Sequence, residues 1–445
     1  MRKFVTTAAA LALVAGLGGC GILKGGKKKT PVVGERVPIL MSENSLSADA
    51  SIGGIAITLP PPEANATWAQ PGGSAAKSLG HLAFGTAPGQ LWQASIPGGD
   101  TRVRLAASPV VDDGKLFVAD TLGNVRAYAA DTGAQLWVKS TVKDDANSRA
   151  RFGGGASAEG GRVFATNGLG DVVALDAATG NEVWRAKPGG PLRGSPTLAN
   201  GNVYVVSQDN QLFALAQADG SVTWTQSGSL ETQGVFGVAA PASAQGTVVA
   251  GFSSGELNAY RYENGRSLWG DALARTSATT SVSSLADIDA EPVIDQGRVY
   301  AIGQGGRMVA LDLGTGQRLW EQNLAGISTP WVAGEWIFVV TDDARLICLA
   351  RSSGKVRWIK QLRRYRVEKD EANKSKDPVA WSGPILAGGR LWLTNTLGQV
   401  VSASPDDGAE TVVIRTKKFR FTLAPVIANS TLYVLSDGGT LTAYR

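Results

Sequence analysis

Residues 174–184 read ALDAATGNEVW, and the chain returns to this phrase again and again. It recurs as AYAADTGAQLW at 127–137, ALAQADGSVTW at 214–224, AYRYENGRSLW at 259–269, ALDLGTGQRLW at 310–320 and CLARSSGKVRW at 348–358. Each copy alternates apolar and polar residues, passes through a turn, and resumes as a short strand ending on tryptophan, which is the pattern of a β-hairpin. Gly133, Gly180, Gly220, Gly265, Gly316 and Gly354 occupy one fixed point of that turn, where a hairpin calls for positive φ. The tryptophans Trp137, Trp184, Trp224, Trp269, Trp320 and Trp358 are 47, 40, 45, 51 and 38 residues apart. Self-similarity at that period marks a propeller or a solenoid.

An upstream half accompanies each phrase: a Ser, Ala, Glu, Thr or Gly before proline, a glycine turn, then a β-branched and aromatic run. Ser108-Pro109, Ser195-Pro196, Ala240-Pro241, Glu291-Pro292, Thr329-Pro330, Gly383-Pro384 and Ala424-Pro425 open seven copies, and Ala156-Ser157 opens another without proline. The tryptophan half runs out of step with these eight. The seventh copy carries Val412 where Trp is expected, and the eighth stops at Arg445 before its turn. A spare tryptophan strand, Gly89-Gln90-Leu91-Trp92, stands at the other end. An open solenoid needs a capping unit at each end, whereas a ring closes by letting an N-terminal strand complete the last blade. The sequence therefore predicts an all-β, eight-bladed propeller of four-stranded blades, closed by residues 89–96.

Ahead of the repeats the chain divides into residues 1–19 and 20–88, with the propeller at 89–445. MRKFVTTAAALALVAGLGGC has two cations, an apolar run and small residues, the layout of a secretory signal. Its Leu17-Gly18-Gly19-Cys20 ending resembles the lipobox of bacterial lipoproteins, which implies cleavage before Cys20 and acylation of that residue, and multiple acyl chains anchor durably. By the same resemblance, Gly21 after the cysteine favours outer-membrane sorting. Lys24 and Lys27-Lys28-Lys29 read as a tether beside anionic head groups or as a solvated spacer. The stretches 35–40 and 55–59 are expected to add edge strands, with Pro60-Pro61-Pro62 stiffening the approach. Formal charge is +5, falling to +3 without Arg2 and Lys3. That charge is too mild and too dispersed for nucleic-acid binding. Cys348, inside an expected strand, reads as a small buried hydrophobe. The sole histidine, His81, has no second histidine to work with.

The complete Ala-x-Asp-x-x-Thr-Gly-x-x-x-Trp pattern at 174–184 and 310–320 resembles the tryptophan-docking motif of quinoprotein-type repeats, in which the indole packs on a neighbouring blade. On that resemblance Trp92, Trp137, Trp184, Trp224, Trp269, Trp320 and Trp358 are structural. Two families share the motif: pyrroloquinoline-quinone dehydrogenases and the BamB family of outer-membrane assembly lipoproteins, which are scaffolds without catalysis. The dehydrogenases resembling this chain would need an Asp base, a calcium site of Glu, Asn and Asp, and in many cases adjacent cysteines. This chain has no Cys-Cys pair, and most of its acids fall in blade turns, where Asp caps its own hairpin. Neither a Ser-His-Asp triad nor a Cys/His zinc cluster can be assembled. No catalytic, cofactor-binding or metal-binding residue is assigned.

Functional surface is expected where the links between blades are long. Residues 138–155 and 359–382 are charge-rich; the latter holds seven cations against four acids. The link at 270–291 ends LADIDAEP and resembles the Leu-x-Asp-hydrophobic-Asp-x-x-Pro stretch of the BamB family, whose loop binds a periplasmic domain of the barrel-assembly protein BamA. Carried over residue by residue, this implies partner binding by Asp287 and Asp289 around an apolar Ile288. The companion link, at 233–241, keeps apolar character at Val235 and Phe236 but has Phe236 in place of the family's arginine. The resulting expectation is a lipid-anchored, periplasm-facing outer-membrane scaffold. Its partners would be BamA periplasmic domains, other assembly-complex subunits and nascent β-barrel proteins, and it would need no cofactor. A quinone-dependent or other periplasmic propeller enzyme, or a generic envelope scaffold, stands as the alternative.

Overall fold

A computed structural model describes residues 46–85, 87–100, 102–143, 150–192, 194–230, 239–273, 286–367, 376–416 and 419–445. The expected edge strand at 35–40, the lipobox with Cys20, and Val235 and Phe236 lie outside the described residues. All regular sheet is antiparallel. Eight four-stranded sheets follow one another as blades 1 to 7, at 110–140, 156–186, 197–227, 242–272, 293–322, 331–361 and 381–415, and blade 8. Blade 8 takes three strands from 426–444 and its outermost strand, Gln90–Ser95, from the start of the array. Gly89 and Arg445 exchange both backbone hydrogen bonds, at 2.7 and 2.9 Å, so the two ends of the ring meet as a hairpin would. The closure read from the spare tryptophan strand is thus how the ring shuts, and no blade is left with a free seam.

The repeated phrase makes the outer hairpin of blades 1 to 6. Asp176 Oδ1 accepts from the amides of Ala178 and Thr179 and from the Thr179 hydroxyl at 2.8–3.1 Å, and Asp312 repeats the arrangement. The Thr hydroxyl and amide hold both carboxyls below the ordinary carboxylate range. These acids are turn caps, as their position in the motif implies. The glycine that follows has φ near +70° at Gly180, Gly265 and Gly316, and it serves a second purpose. Each tryptophan lies over the hairpin glycine of the next blade, with ring atoms 2.5–2.8 Å from where a Cβ would stand at Gly133, Gly180, Gly220, Gly265, Gly316, Gly354 and Gly408. The indole Nε1 then donates to that hairpin, for example Trp137 to Ala177 O at 3.1 Å and Trp269 to Leu313 O at 2.7 Å. Directly across the hairpin from the tryptophan stands alanine (Ala127, Ala174, Ala214, Ala259, Ala310) or, in blade 6, Cys348. Cys348 is fully buried and burial pushes its thiol up, so it occupies the repeat's small-residue position.

The lead-in departs from expectation at 55–59, which forms no ladder. Instead the chain crosses from the rim of blade 6, where Asp49 N donates to Val356 O and Asp49 pairs with Lys355, to the axis. There residues 63–83 make one circuit, touching every innermost strand in turn. Asn65 bonds to Ile427 and Asn429 of blade 8, and Trp68 exchanges two bonds with Val111 of blade 1. Ala69 accepts from Ala158 of blade 2, and the Gln70 side chain pairs with Leu198 of blade 3. Ala75 and Ala76 accept from Ser243 and Ile294 of blades 4 and 5. Gly80 accepts from the Trp331 indole of blade 6, and Leu82 pairs with Leu386 and Gly388 of blade 7. The circuit closes on itself where Glu63 N donates to His81 O and Ala83 N to Glu63 O. His81 is a fastener. Gly389 N donates to its Nε2 at 2.8 Å, which leaves Nδ1 to donate to Pro60 O at 2.7 Å. An isolated extended segment cannot hold such a path; the edge groups of the blades around it supply hydrogen-bond partners along its length.

Candidate functional site: the sealed axis and the connection between blades 4 and 5

One end of the propeller axis is sealed by this circuit, which leaves a cavity of about 300 Å³ above it. Its floor is Trp68, Pro71, Gly72 and Lys77, and its walls are the small residues that precede each innermost strand, among them Ala106, Ser108, Ser195, Ala240 and Ser328. Trp68 and Trp331 stack at one side, centroids 6.1 Å apart and 14° from parallel. The X-Pro steps of the repeat therefore do two jobs. They start the innermost strands, and their small side chains keep the axis open.

Among the described residues, three ionisable groups line the cavity: Lys77, Glu291 and Asp289. Lys77, 1% exposed, donates from Nζ to Thr197 Oγ1 at 3.1 Å, and Thr197 in turn donates to Pro241 O. Burial lowers the Lys77 ammonium to about 8, against the opposing pull of Glu291. Burial raises Glu291, with Lys77 and Thr329 resisting. Both groups of the pair move toward neutrality, so the loss of water outweighs their mutual attraction. Asp289 is raised to about 7, first by burial and then by the charges of Asp287 and Asp342. Both of its carboxylate oxygens are out of contact with water, with no hydrogen-bond donor.

Asp287, Ile288 and Asp289 therefore do not form one exposed patch. Asp287 is 4% exposed, and its backbone carbonyl accepts from Gln304 N. Ile288 is 1% exposed and is seated in the core between blades 4 and 5, against Gly251 and Gly303. The expectation of Ile288 as a surface anchor is corrected by this packing: its apolar side chain gains more from the inter-blade core than from a solvent-facing loop. Asp289 is among the residues lining the axial cavity, with both carboxylate oxygens buried. The three residues root the connection that enters blade 5. Of the charge-rich links, 359–382 contains a two-stranded hairpin, Tyr365–Val367 with Lys376–Pro378, while Lys143 of the link at 138–155 pairs with Glu182. Sequence reading missed Lys77 and took Glu291 only as the residue before a repeat proline; a lysine among Gly, Ser and Ala gives no sign that it will be buried.

A carboxylated quinone does not fit this cavity. Among the described residues its lining offers a polyanion a single cation, Lys77, which already faces Glu291, and no cluster of three or more His, Cys, Asp or Glu is placed to hold a metal ion.

Fold and site together define a closed, tryptophan-docked eight-bladed propeller whose axis is sealed at one end by its own chain. Comparison places it more narrowly. The family described as outer membrane protein assembly factor BamB matches residues 82–151 and 121–360, more than half of the sequence, and the chain belongs to that family. The Yersinia pestis outer membrane protein assembly factor BamB is 27% identical over 361 residues, covering 80% of this chain and 88% of the relative. Among solved structures, BamB from Moraxella catarrhalis superposes with a TM-score of 0.65 at 17% identity, covering 80% of this chain and 99% of that one. Quinohemoprotein alcohol dehydrogenase from Comamonas testosteroni also reaches 0.65, at 13% identity, covering 85% and 80%. Those two structural likenesses speak to the fold alone.

Proposed function

We propose that this protein is a non-catalytic scaffold of outer-membrane β-barrel assembly, anchored by acyl chains on Cys20 and facing the periplasm. Membership of the assembly-factor family carries this reading, and the poor fit of the axial cavity to a carboxylated quinone argues against the dehydrogenase alternative. The partner surface proposed is the connection between blades 4 and 5, together with the link before blade 4 that holds Val235 and Phe236. It would receive a periplasmic domain of BamA. In this reading Asp287, Ile288 and Asp289 hold the connection at its root, and contact is made by the segment they hold. A rigid ring suits such a role, because little of its conformational freedom is lost when the partner docks.

The test is capture of BamA from solubilised membranes by tagged protein. Replacing residues 274–285 with a Gly/Ser linker of equal length should abolish capture while the melting transition stays where it is in the wild type. Unchanged capture by the linker variant would move the site elsewhere on the ring. Loss of capture by the wild type itself would remove the function. Palmitate labelling should disappear in Cys20→Ser.

A further inference from the structure

The charge-rich link after blade 6 has a built shape. The chain leaves the outermost strand of blade 6 at Gln361 and forms the hairpin of Tyr365–Val367 with Lys376–Pro378. Arg363 donates from Nε to Tyr365 O at 3.0 Å and from Nη2 to Arg366 O at 2.6 Å, while the Trp381 indole donates to Arg363 O at 2.9 Å. Arg366 Nη2 reaches Thr396 O at 3.1 Å, in the 395–398 turn of blade 7. The next link is fastened to the same turn: Thr416 N donates to Gly398 O and Phe421 N to Asn395 O. One turn of blade 7 thus gathers arginines from two links, Arg363, Arg364 and Arg366 from one and Arg415 and Arg420 from the other, and all five are exposed. None pairs with a carboxylate among the described residues, unlike Arg126, Arg185, Arg318 and Arg345 elsewhere on the ring. Asp377 is the one acid among the described residues of these two links. Arg364 lies over the Tyr365 ring at 5.6 Å, and Val367 beside it is exposed. Guanidiniums held together without counter-charge repel one another and create a positive field, which an anionic surface brought against them would offset.

We propose that this end of blade 7 is a membrane-docking surface, on which Arg363, Arg364, Arg366, Arg415 and Arg420 bind the phosphates of anionic phospholipid headgroups. Guanidinium matches phosphate in geometry, and exposed Val367 and half-buried Tyr365 suit the boundary between headgroups and acyl chains. The course of the chain favours a membrane over an acidic protein, and this step rests on the anchoring at Cys20 proposed above. Residues 20–45 span at most about 90 Å and join the described chain at Leu46, which packs against the core shared by blades 5 and 6. Asp49 then bonds to the outermost strand of blade 6, the strand that leads into the first arginine link. An anchored chain therefore holds this sector of the ring within reach of the bilayer. The connection between blades 4 and 5 occupies a different sector and stays free for a partner.

Co-sedimentation with vesicles tests the surface on the chain from residue 20 onward carrying Cys20→Ser, so that no acyl chain contributes. The protein should bind vesicles of mixed phosphatidylglycerol and phosphatidylcholine but not phosphatidylcholine alone, and high salt should release it. Arg364→Gln combined with Arg415→Gln should weaken partition about 25-fold, at about fivefold per arginine. Its melting transition should not move, since neither guanidinium has a hydrogen bond or ion pair among the described residues. Arg261→Gln combined with Arg266→Gln removes the same charge from exposed positions on the outer hairpin of blade 4 and should leave partition unchanged. No binding to the anionic vesicles, or an equal loss in the two double variants, would overturn the proposal. Retention on immobilised polyglutamate without vesicle binding would also overturn it and assign the arginines to an acidic protein. Palmitate labelling of the wild type reports on the anchor alone, so a failed anchor and a failed docking surface are told apart.

Discussion

Lys77 gives a quantitative test of the sealed axis. It sits 1% exposed beneath the cavity, and burial lowers its ammonium from 10.5 to about 8. Between those two values the unfolded chain holds a proton that the folded chain does not, so stability rises with pH across the interval. At pH 7 the shift costs the folded state about 3 kcal/mol. By pH 10 most of that cost is gone, and the part recovered between pH 8 and pH 10 is about 2 kcal/mol. Lys77→Met keeps the length and apolar stem of the side chain but removes the titration. Measured against it, the stability of the Lys77 protein should climb by about 2 kcal/mol from pH 8 to pH 10, or about 3 °C in melting temperature for a domain of about 400 residues. Glu291 is coupled to Lys77, so both proteins carry Glu291→Gln, and the remaining groups cancel in the comparison. In that Glu291→Gln background the Lys77→Met protein should be the more stable of the two at pH 7, since both members of the buried pair have then given way to neutral side chains. A difference between the two proteins that is flat with pH, or that moves the other way, would show that Lys77 is solvated and that the circuit does not seal the axis.

The tryptophan docks predict unequal costs at matched positions. Trp184→Ala removes a ring seated on Gly220 and its bond to Gln217 O, and should cost about 3–5 kcal/mol by urea unfolding; Val412→Ala, at the position without a dock and 39% exposed, should cost less than about 1 kcal/mol. Gly265→Ala places a Cβ 2.7 Å from the Trp224 ring at φ +70°, and a loss of about 3 kcal/mol or more is expected, with a near-neutral result refuting the close approach. Cys348, fully buried with its thiol pushed up, should resist thiol reagents in the folded protein and react only on unfolding, while Cys348→Ala, which restores the residue other blades carry, should cost about 1 kcal/mol.

Most of the ring was legible because the repeat writes its own geometry. The Asp-x-x-Thr-Gly turn specifies a capped hairpin, the Trp four residues beyond the glycine specifies the dock, and the count of half-repeats specifies closure. The axis was not legible, for a physical reason. Residues 63–83 have no period of their own, since each meets a different blade at a different angle, and their hydrogen bonds run to partners hundreds of positions away, such as Asn65 to Ile427 and His81 to Gly389. Periodicity detects segments that pair with themselves or their neighbours; it is blind to a segment whose order is supplied by the finished ring. Asp287, Ile288 and Asp289 show the same limit from the other side. An Asp-Ile-Asp run reads as exposed acids around an apolar contact, yet blade packing decides which way each side chain turns.

The one break in the tryptophan series follows from the closure. Each tryptophan of a blade lands on the hairpin glycine of the next, so a tryptophan in the outermost strand of blade 7 would need such a hairpin in blade 8. Blade 8 has none: its third strand ends at Tyr444 and its fourth begins at Gln90, joined only by the exchange between Gly89 and Arg445. With no positive-φ glycine to receive an indole, a tryptophan at 412 would expose its ring, and valine stands there instead. The seam is secured by other means. Trp92 docks forward onto Gly133 of blade 1, donates to Ala130 O, and meets Tyr433 of its own blade, whose hydroxyl donates to the same Ala130 carbonyl. Asn65 ties blade 8 into the axial circuit. The weakest covalent point of the ring is therefore held by the first strand of the array and by the segment before it, so that forming the last blade and sealing the axis draw on neighbouring stretches of one chain.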